Sequence, residues 1–272
     1  MRMRYLAIVV SMLLACSAAQ AEGGKYSPHK GPFAQEISGV AHLDVYPHYL
    51  TLDTGDTSRL MEEMHNPGVT GAYYLAPDNE DWFAIFEHEE TGHVKDNDSI
   101  DANAVLEQIK AGTAESNKER RARGWSELNI IGWRVEPHYE TDTRRLSWAT
   151  LNESDGKQAI NYTTKILGRT GVVTVTLVTS PDKLDRAVAD LKQQLDGFKF
   201  DAGQSYTEFK DGDKVAEYGL TGLIVGGAAA VAAKSGFFKW IGAMLVAGWK
   251  IVAGVVMAGV AAIKNLFKKK SA

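Results

Sequence analysis

The chain has 272 residues, a single cysteine and a formal charge of −4, but the charge is unevenly spread: Glu22–Tyr218 holds all 34 acidic residues against 21 basic ones, a net of −13, while Gly219–Ala272 has seven lysines and no acid. A body this acidic argues against nucleic acid as a partner, which requires a basic patch or stripe. With Cys16 the sole thiol, the body can contain neither a disulfide nor a thiol nucleophile, so its stability must come from core packing.

The first stretch, "MRMRYLAIVVSMLLACSAAQAEGG", has a basic start, an apolar run from Tyr5 to Ala15 and small residues ending at Ala21. That is the layout of a secretory signal, and the run is too short to span a bilayer. Two processing routes stand: cleavage after Ala21 (signal peptide 1–21), or lipidation at Cys16, where Leu13-Leu14-Ala15-Cys16 resembles a lipoprotein box.

In the exported body, 22–218, Tyr26–Glu36 reads as an irregular lead-in interrupted by Pro28 and Pro32. Val40–Val45 and Tyr49–Leu52 read as strands around Pro47, and Thr57–His65 as a short helix with Leu60, Met61 and Met64 on its apolar side. "GAYYLAPDNEDWFAIFEHEE" is apolar, then turn-forming, then apolar again, which predicts a hairpin. Asp101 is a good N-cap for a helix running to Arg120, Arg121 and Arg123, cations suited to its negative end before Gly124. Four stretches then alternate at period two: Ile131/Trp133/Val135, Leu146/Trp148, Ile160/Tyr162/Ile166 and Val173/Val175/Leu177. They predict an antiparallel meander. A last helix is predicted with Ser180 as cap, Pro181 at its first position, an apolar face of Leu184, Val188, Leu191 and Leu195, and Gly197 as stop. The expected fold class is α+β, a mostly antiparallel sheet with packed helices.

The body offers little recognisable chemistry. His88 and His93 resemble the paired histidines of a metalloprotease helix, but their spacing is five with Gly92 between them, where the motif needs four. "DNDSID" from Asp96 invites a calcium-loop reading, yet Ile100 falls on a ligand position and the loop glycine is missing, which favours a helix-capping cluster beside Asp101. His88, His93, Asp96 and Asp98 are therefore kept as weak ligand-binding candidates, with no metal, cofactor or catalytic residue expected. Trp82, Trp133 and Trp148 suit a core better than a pocket. The acidic "PDNED" turn and the "HEE" after it read as a solvated hairpin tip, with a cation or a basic partner as the sharper alternative.

The tail explains its own topology. Trp240–Ile263 is 24 residues, ~36 Å as a helix, enough to cross a ~30 Å hydrocarbon core. Lys250 falls near the middle; its cost of ~2.5–3.5 kcal/mol is outweighed narrowly by nine Leu, Ile and Val residues worth roughly −3 to −5 in all. It either snorkels to the interface or acts as a charge within a helix assembly. Lys264, Lys268, Lys269 and Lys270, in the tail 264–272, place the C-terminus in the cytoplasm under the positive-inside rule. The Gly/Ala-rich segment 219–239 reads as membrane-proximal, a partly inserted helix or a loose connector. Gly222 and Gly226 in it, and Gly254, Ala258 and Ala262 in the span, are small residues at four-residue steps, where another helix can approach closely.

Several blocks, among them "LAPDNEDWFAIFEHEETGHVKDND", "IIGWRVEPHYETDTRRLSWATL" and "DGDKVAEYGLTGLIVGG", resemble an uncharacterised, mainly proteobacterial family of membrane-anchored proteins carrying a domain of unknown function. The resemblance covers nearly all of the mature chain. It implies a Gram-negative envelope protein with a C-terminal anchor, brings no established catalytic residues, and implies an aromatic residue where this chain has His93. The order of elements is similar to the Mog1/PsbP-like fold. The expected function is that of a non-catalytic accessory or binding protein on the periplasmic side of the inner membrane, its partners the bilayer and other envelope proteins or further copies of itself. The alternatives are an envelope hydrolase with an unrecognised site, and, more remotely, an ion or solute pathway built from lysine-bearing helices.

Overall fold

The computed structural model describes residues 25–66, 69–79 and 81–226. The chain divides into two compact units, Met1–Thr221 and Gly222–Ala272. The expected signal with Cys16 and Ala21, and the expected span with Lys250, Gly254, Ala258, Ala262 and the basic tail, lie outside the described residues. Among the described residues no helix is long and apolar enough to cross a membrane.

The strands are β1 (His29–Lys30), β2 (Phe33–Ile37), β3 (Ala41–Val45), β4 (Tyr49–Leu52), β5 (Tyr73–Pro77), β6 (Trp82–Glu89), β7 (Asn129–Glu140), β8 (Arg145–Ser154), β9 (Lys157–Leu167), β10 (Val172–Thr179) and β11 (Phe198–Phe200). The helices are α1 (Thr54–Glu63), α2 (Ala102–Ala122), α3 (Leu184–Gln194) and the short α4 (Leu220–Val225). Among the described residues, the strands form an eight-stranded sheet in the order β1-β4-β5-β6-β10-β9-β8-β7 and a three-stranded sheet β11-β3-β2. Every strand pairing is antiparallel. The α+β reading, the β5–β6 hairpin and the β7–β10 meander all hold.

Register separates the two faces of the large sheet. Trp82, Ala84 and Phe86 of β6 share a face with Val173, Val175 and Leu177 of β10 and Ile160, Tyr162 and Ile166 of β9. These residues, with Leu184, Ala187 and Leu191 of α3 and Ile37, Leu43 and Val45 of the small sheet, form the main core. On the opposite face, Leu50, Leu52, Tyr74, Phe83 and Ile85 pack with Leu60 and Met61 of α1 in a second cluster. At the other edge α2 lies against β7, where Trp133 Nε1 donates to the Ala102 carbonyl at 2.9 Å. Strand β7 is itself an edge, and its three register shifts, Pro137 and the exposed Arg134, Glu136 and His138 are features that protect an edge from further pairing.

Several boundaries differ from expectation. Tyr26–Glu36 is not irregular: β1 pairs with β4, β2 pairs with β3, and both prolines precede strands at sheet edges, where a missing N–H is tolerated. Helix α1 starts three residues early because Asp53 caps it, accepting from Asp56 N at 2.7 Å. Helix α3 starts late. Ser180 and Pro181 form a turn closed by Lys183 N donating to the Ser180 carbonyl at 3.1 Å, and no side chain caps the helix.

Candidate functional site

After β11 the chain becomes a strap, residues 201–219, regular only in a single 3-10 turn at Tyr206–Glu208. It crosses the sheet end where β6, β7 and β9 finish and β8 and β10 begin, an end that register alone defines. Backbone bonds fasten it: Arg169 N to the Gln204 carbonyl (2.8 Å), His93 N to the Lys214 carbonyl (2.8 Å) and Ala216 N to the His93 carbonyl (2.9 Å). Side chains add the Arg169 guanidinium gripping both oxygens of Asp213 at 2.7 Å each, and Tyr206 OH donating to the Val94 carbonyl at 3.0 Å. The Arg169 fork holds the Asp213 pKa down at about 2. At the end of the strap, Asp98 accepts from Leu220 N (2.8 Å) and Thr221 N (3.1 Å). Gly92 and Gly219 permit the closest approaches: a Cβ would fall 2.7 Å from the Lys214 carbonyl oxygen at the first and 2.4 Å from Asp98 Oδ1 at the second.

The centre of the clamp is aromatic and charged. The His93 ring lies between Tyr206 and Phe209, with centroids 4.3 Å away on each side. The Arg144 guanidinium sits 4.8 Å over the Tyr206 ring and donates to Asp96 Oδ2 at 2.5 Å, and Tyr139 OH donates to the same oxygen at 2.8 Å. Burial alone would raise the Asp96 carboxyl; the Tyr139 hydroxyl and Arg144 outweigh it and hold the group below its usual range. Burial, and then the Asp96 hydrogen bond, push Tyr139 up to about 12. Arg144 occupies a left-handed backbone conformation, φ +52°, in the β7–β8 turn, at a cost of roughly 1–2 kcal/mol for a non-glycine residue.

A second polar group lies mid-sheet on the α1/α2 face. Lys165 Nζ on β9 donates to Glu89 Oε1 on β6 (2.5 Å) and to Thr174 Oγ1 on β10 (2.8 Å), and Thr174 donates to the same carboxylate oxygen (2.5 Å). The lysine side chain is 8% exposed and the glutamate 40%. Burial, with the Glu89 charge second, raises Glu87 and Tyr218. Perturbed groups of this kind mark functional candidates. Here, though, the carboxylate that accepts from the threonine is already neutralised by the lysine, and the arrangement stores a compensated charge pair.

The four weak candidates of the sequence thus part company. His93, Asp96 and Asp98 each hold the strap or the chain that follows it, while His88 faces the other way, paired with Val173 on β10 and close to Gly171. Among the described residues no three His, Cys, Asp or Glu side chains gather as a ligand set. The predicted capping role is divided: Asp101 caps α2, accepting from Asn103 N and Ala104 N, whereas Asp98 caps α4, far along the chain. Trp82 lies on the sheet face opposite Trp148 and Trp133, so the tryptophans share no pocket. The acidic hairpin tip is not free, since Asp81 accepts from Lys183 at 2.5 Å. Of the assigned small residues, Gly222 lies in α4 and Gly226 just beyond it. Sequence reasoning missed Arg144, Lys165, Arg169 and Asp213. For the two arginines and Asp213 no local signal existed, because charged turn residues read as solvated; for Lys165 the signal was a lysine inside an otherwise strand-like "INYTTKIL".

Fold and site together define an α+β domain whose C-terminal strap is bound back onto its own sheet end. The family described as "Protein of unknown function (DUF2167)" matches residues 29–261, and the chain belongs to it. No curated protein matches the sequence. Among solved structures, the cyanobacterial PsbP protein (CyanoP) of Synechocystis sp. PCC 6803 is similar at 13% identity and a TM-score of 0.38, covering 66% of this chain and 96% of its own. The Saccharomyces cerevisiae Ran-binding protein Mog1p is similar at 12% identity and a TM-score of 0.35, covering 67% of this chain and 100% of its own.

Proposed function

We propose that this protein is a non-catalytic accessory or binding module of the bacterial cell envelope, held at the inner membrane by its C-terminal segment, with the acidic body on the periplasmic side. The observation that carries this reading is the strap. A domain that merely needed a tether would be served by a loose linker, but here the chain is hydrogen-bonded to the body as far as Thr221, shortly before a stretch of seven lysines, no acid and a 24-residue apolar run. A chain bound to the body up to its exit is useful to a component that must present a surface. Gly222, Gly226, Lys250, Gly254, Ala258 and Ala262 are assigned to contacts of that tail with partner helices or further copies. The hydrolase alternative gains no support from the Glu89–Lys165–Thr174 group, whose carboxylate is neutralised by the lysine that shares it.

Two measurements on the full-length protein test this reading. Protease added to intact spheroplasts is expected to remove the body and spare a C-terminal tag; a shielded body with a digested tag would overturn the topology. Purification in mild detergent is expected to retain partners or copies, with Lys250→Leu altering their recovery. A lone monomer, indistinguishable from that mutant, would refute the assembly role.

A further inference from the structure

We propose that His93 is a pH-sensitive latch on the strap: the neutral ring completes the aromatic sandwich, and the protonated ring weakens it and loosens the chain that leads to the C-terminal segment. The inference concerns the body alone and holds whether or not the tail crosses a bilayer.

The geometry is specific. His93 Nδ1 is buried and has no hydrogen bond. A neutral imidazole can leave that nitrogen as a bare lone pair, but an imidazolium must carry N–H on both nitrogens, so protonation creates a buried donor without an acceptor. The flanking rings do not fully offset this. A cation over Tyr or Phe gains about 0.5–1 kcal/mol at exposed sites, but the Tyr206 ring already lies under the Arg144 guanidinium, 4.8 Å away, and a second cation would share the same π system. The same residue carries the strap through its backbone, donating to Lys214 and accepting from Ala216, so a displaced ring moves the attachment point.

The surrounding charges pull in both directions. On its own segment stand Glu90, Lys95 and Asp96; the β7–β8 turn brings Tyr139 and Arg144, the β9–β10 turn Arg169, and the strap Tyr206, Glu208, Lys210, Asp213 and Lys214. Asp96 and Asp213 attract an imidazolium, but each is already committed to an arginine, Arg144 and Arg169 respectively. Burial outweighs a hydrogen bond with the Arg169 backbone and the two carboxylates together, and holds the His93 pKa below its ordinary 6.5. A base depressed in the folded state contributes stability that is present above its unfolded value near 6.5 and is lost as pH falls through the folded one. Asp96 and Asp213, both lowered, stay ionised across that window.

The test is hydrogen exchange of the strap peptides in full-length protein in detergent, from pH 7.5 to 5.0, with intrinsic rates corrected for pH. Wild type is expected to lose protection several-fold in the strap as pH falls, while His93→Phe, which keeps the stacking and cannot titrate, holds its protection constant. His93→Tyr replaces it if the phenylalanine variant does not fold. Equal loss in wild type and variant, or no loss in wild type, overturns the proposal.

Discussion

Removing the carboxylate that neutralises Lys165 has a calculable consequence. Glu89→Leu leaves an ammonium, 8% exposed, with Thr174 Oγ1 at 2.8 Å as its hydrogen-bond partner and the charge of Glu87 as a weaker attraction. Breaking a buried ion pair by deleting one partner costs about 3–5 kcal/mol, because the remaining charge is stranded. Glu89 is 40% exposed, so water can partly replace it and the low end, about 3 kcal/mol, applies. With a urea m-value of ~2 kcal/mol/M, that moves the unfolding midpoint down by about 1.5 M. The double variant Glu89→Leu/Lys165→Met removes both charges, and replacing a whole buried pair by apolar residues is close to neutral, so it is expected to recover most of the loss. The pair also sets an acid limit: burial would raise the Glu89 pKa, but Lys165 outweighs it and lowers the group. Its contribution is therefore present above the ordinary 4.5 and fades as pH falls through the lowered value. The assay is tryptophan fluorescence during urea unfolding of full-length protein in detergent. A midpoint shift under ~0.3 M for the single variant, or a double variant no better than the single, would refute the reasoning, since either result means that the ammonium is not stranded.

Other perturbations follow from particular contacts. Asp101→Ala removes the acceptor for Asn103 N (3.1 Å) and Ala104 N (3.0 Å), and is expected to cost about 1 kcal/mol in chemical unfolding. Gly112→Ala, inside α2 with nothing within 4 Å of the new Cβ, is expected to stabilise by roughly 0.5–1 kcal/mol in the same assay. Gly219→Ala drives a Cβ to within 2.4 Å of Asp98 Oδ1, so Asp98 is displaced and the amides of Leu220 and Thr221 lose protection in hydrogen exchange. Arg169→Gln breaks the fork on Asp213 and is expected to open the strap to limited proteolysis between Tyr206 and Ala216 at all pH values, unlike the His93 effect.

Where a signal is local, the fold is legible in the residues. The meander strands showed alternation at period two, and α2 has Asp101 before its first turn and arginines in its last. Elements whose evidence is long-range escaped. Strands β1 and β2 are short, flank prolines and exist because β4 and β3 accept them across the chain. Ser180 followed by Pro181 reads as a helix start, yet a proline at that place suits a turn equally well, and the tertiary position of Leu184 against the core decided between them. Period-two patterns also hide how deeply strands are buried: β9 and β10 lie between layers, so the face bearing Thr163, Lys165 and Thr174 is buried although its residues are polar.

The clamp shows the same limit at the scale of a site. Asp96 and Asp98 sit two residues apart in a run that looks like a loop for cations, but one meets Tyr139 and Arg144 and the other meets backbone amides beyond residue 219. An acidic run has no preference among a cation, a helix start and a distant guanidinium; only the folded path decides which of them it meets. That path puts Arg144 in a left-handed turn, where its backbone costs roughly 1–2 kcal/mol, and the guanidinium recovers that cost through Asp96 and the Tyr206 ring. The same residue also accepts from Leu167 N at 2.9 Å through its carbonyl, so its turn serves the sheet end as well as the strap. The clamp and the strained turn therefore stand together: Arg144→Gly, which relieves the backbone and deletes the side chain, should leave the β7–β8 hairpin intact while the strap exchanges faster. If strap exchange is unchanged, the strain at Arg144 has no part in holding the chain.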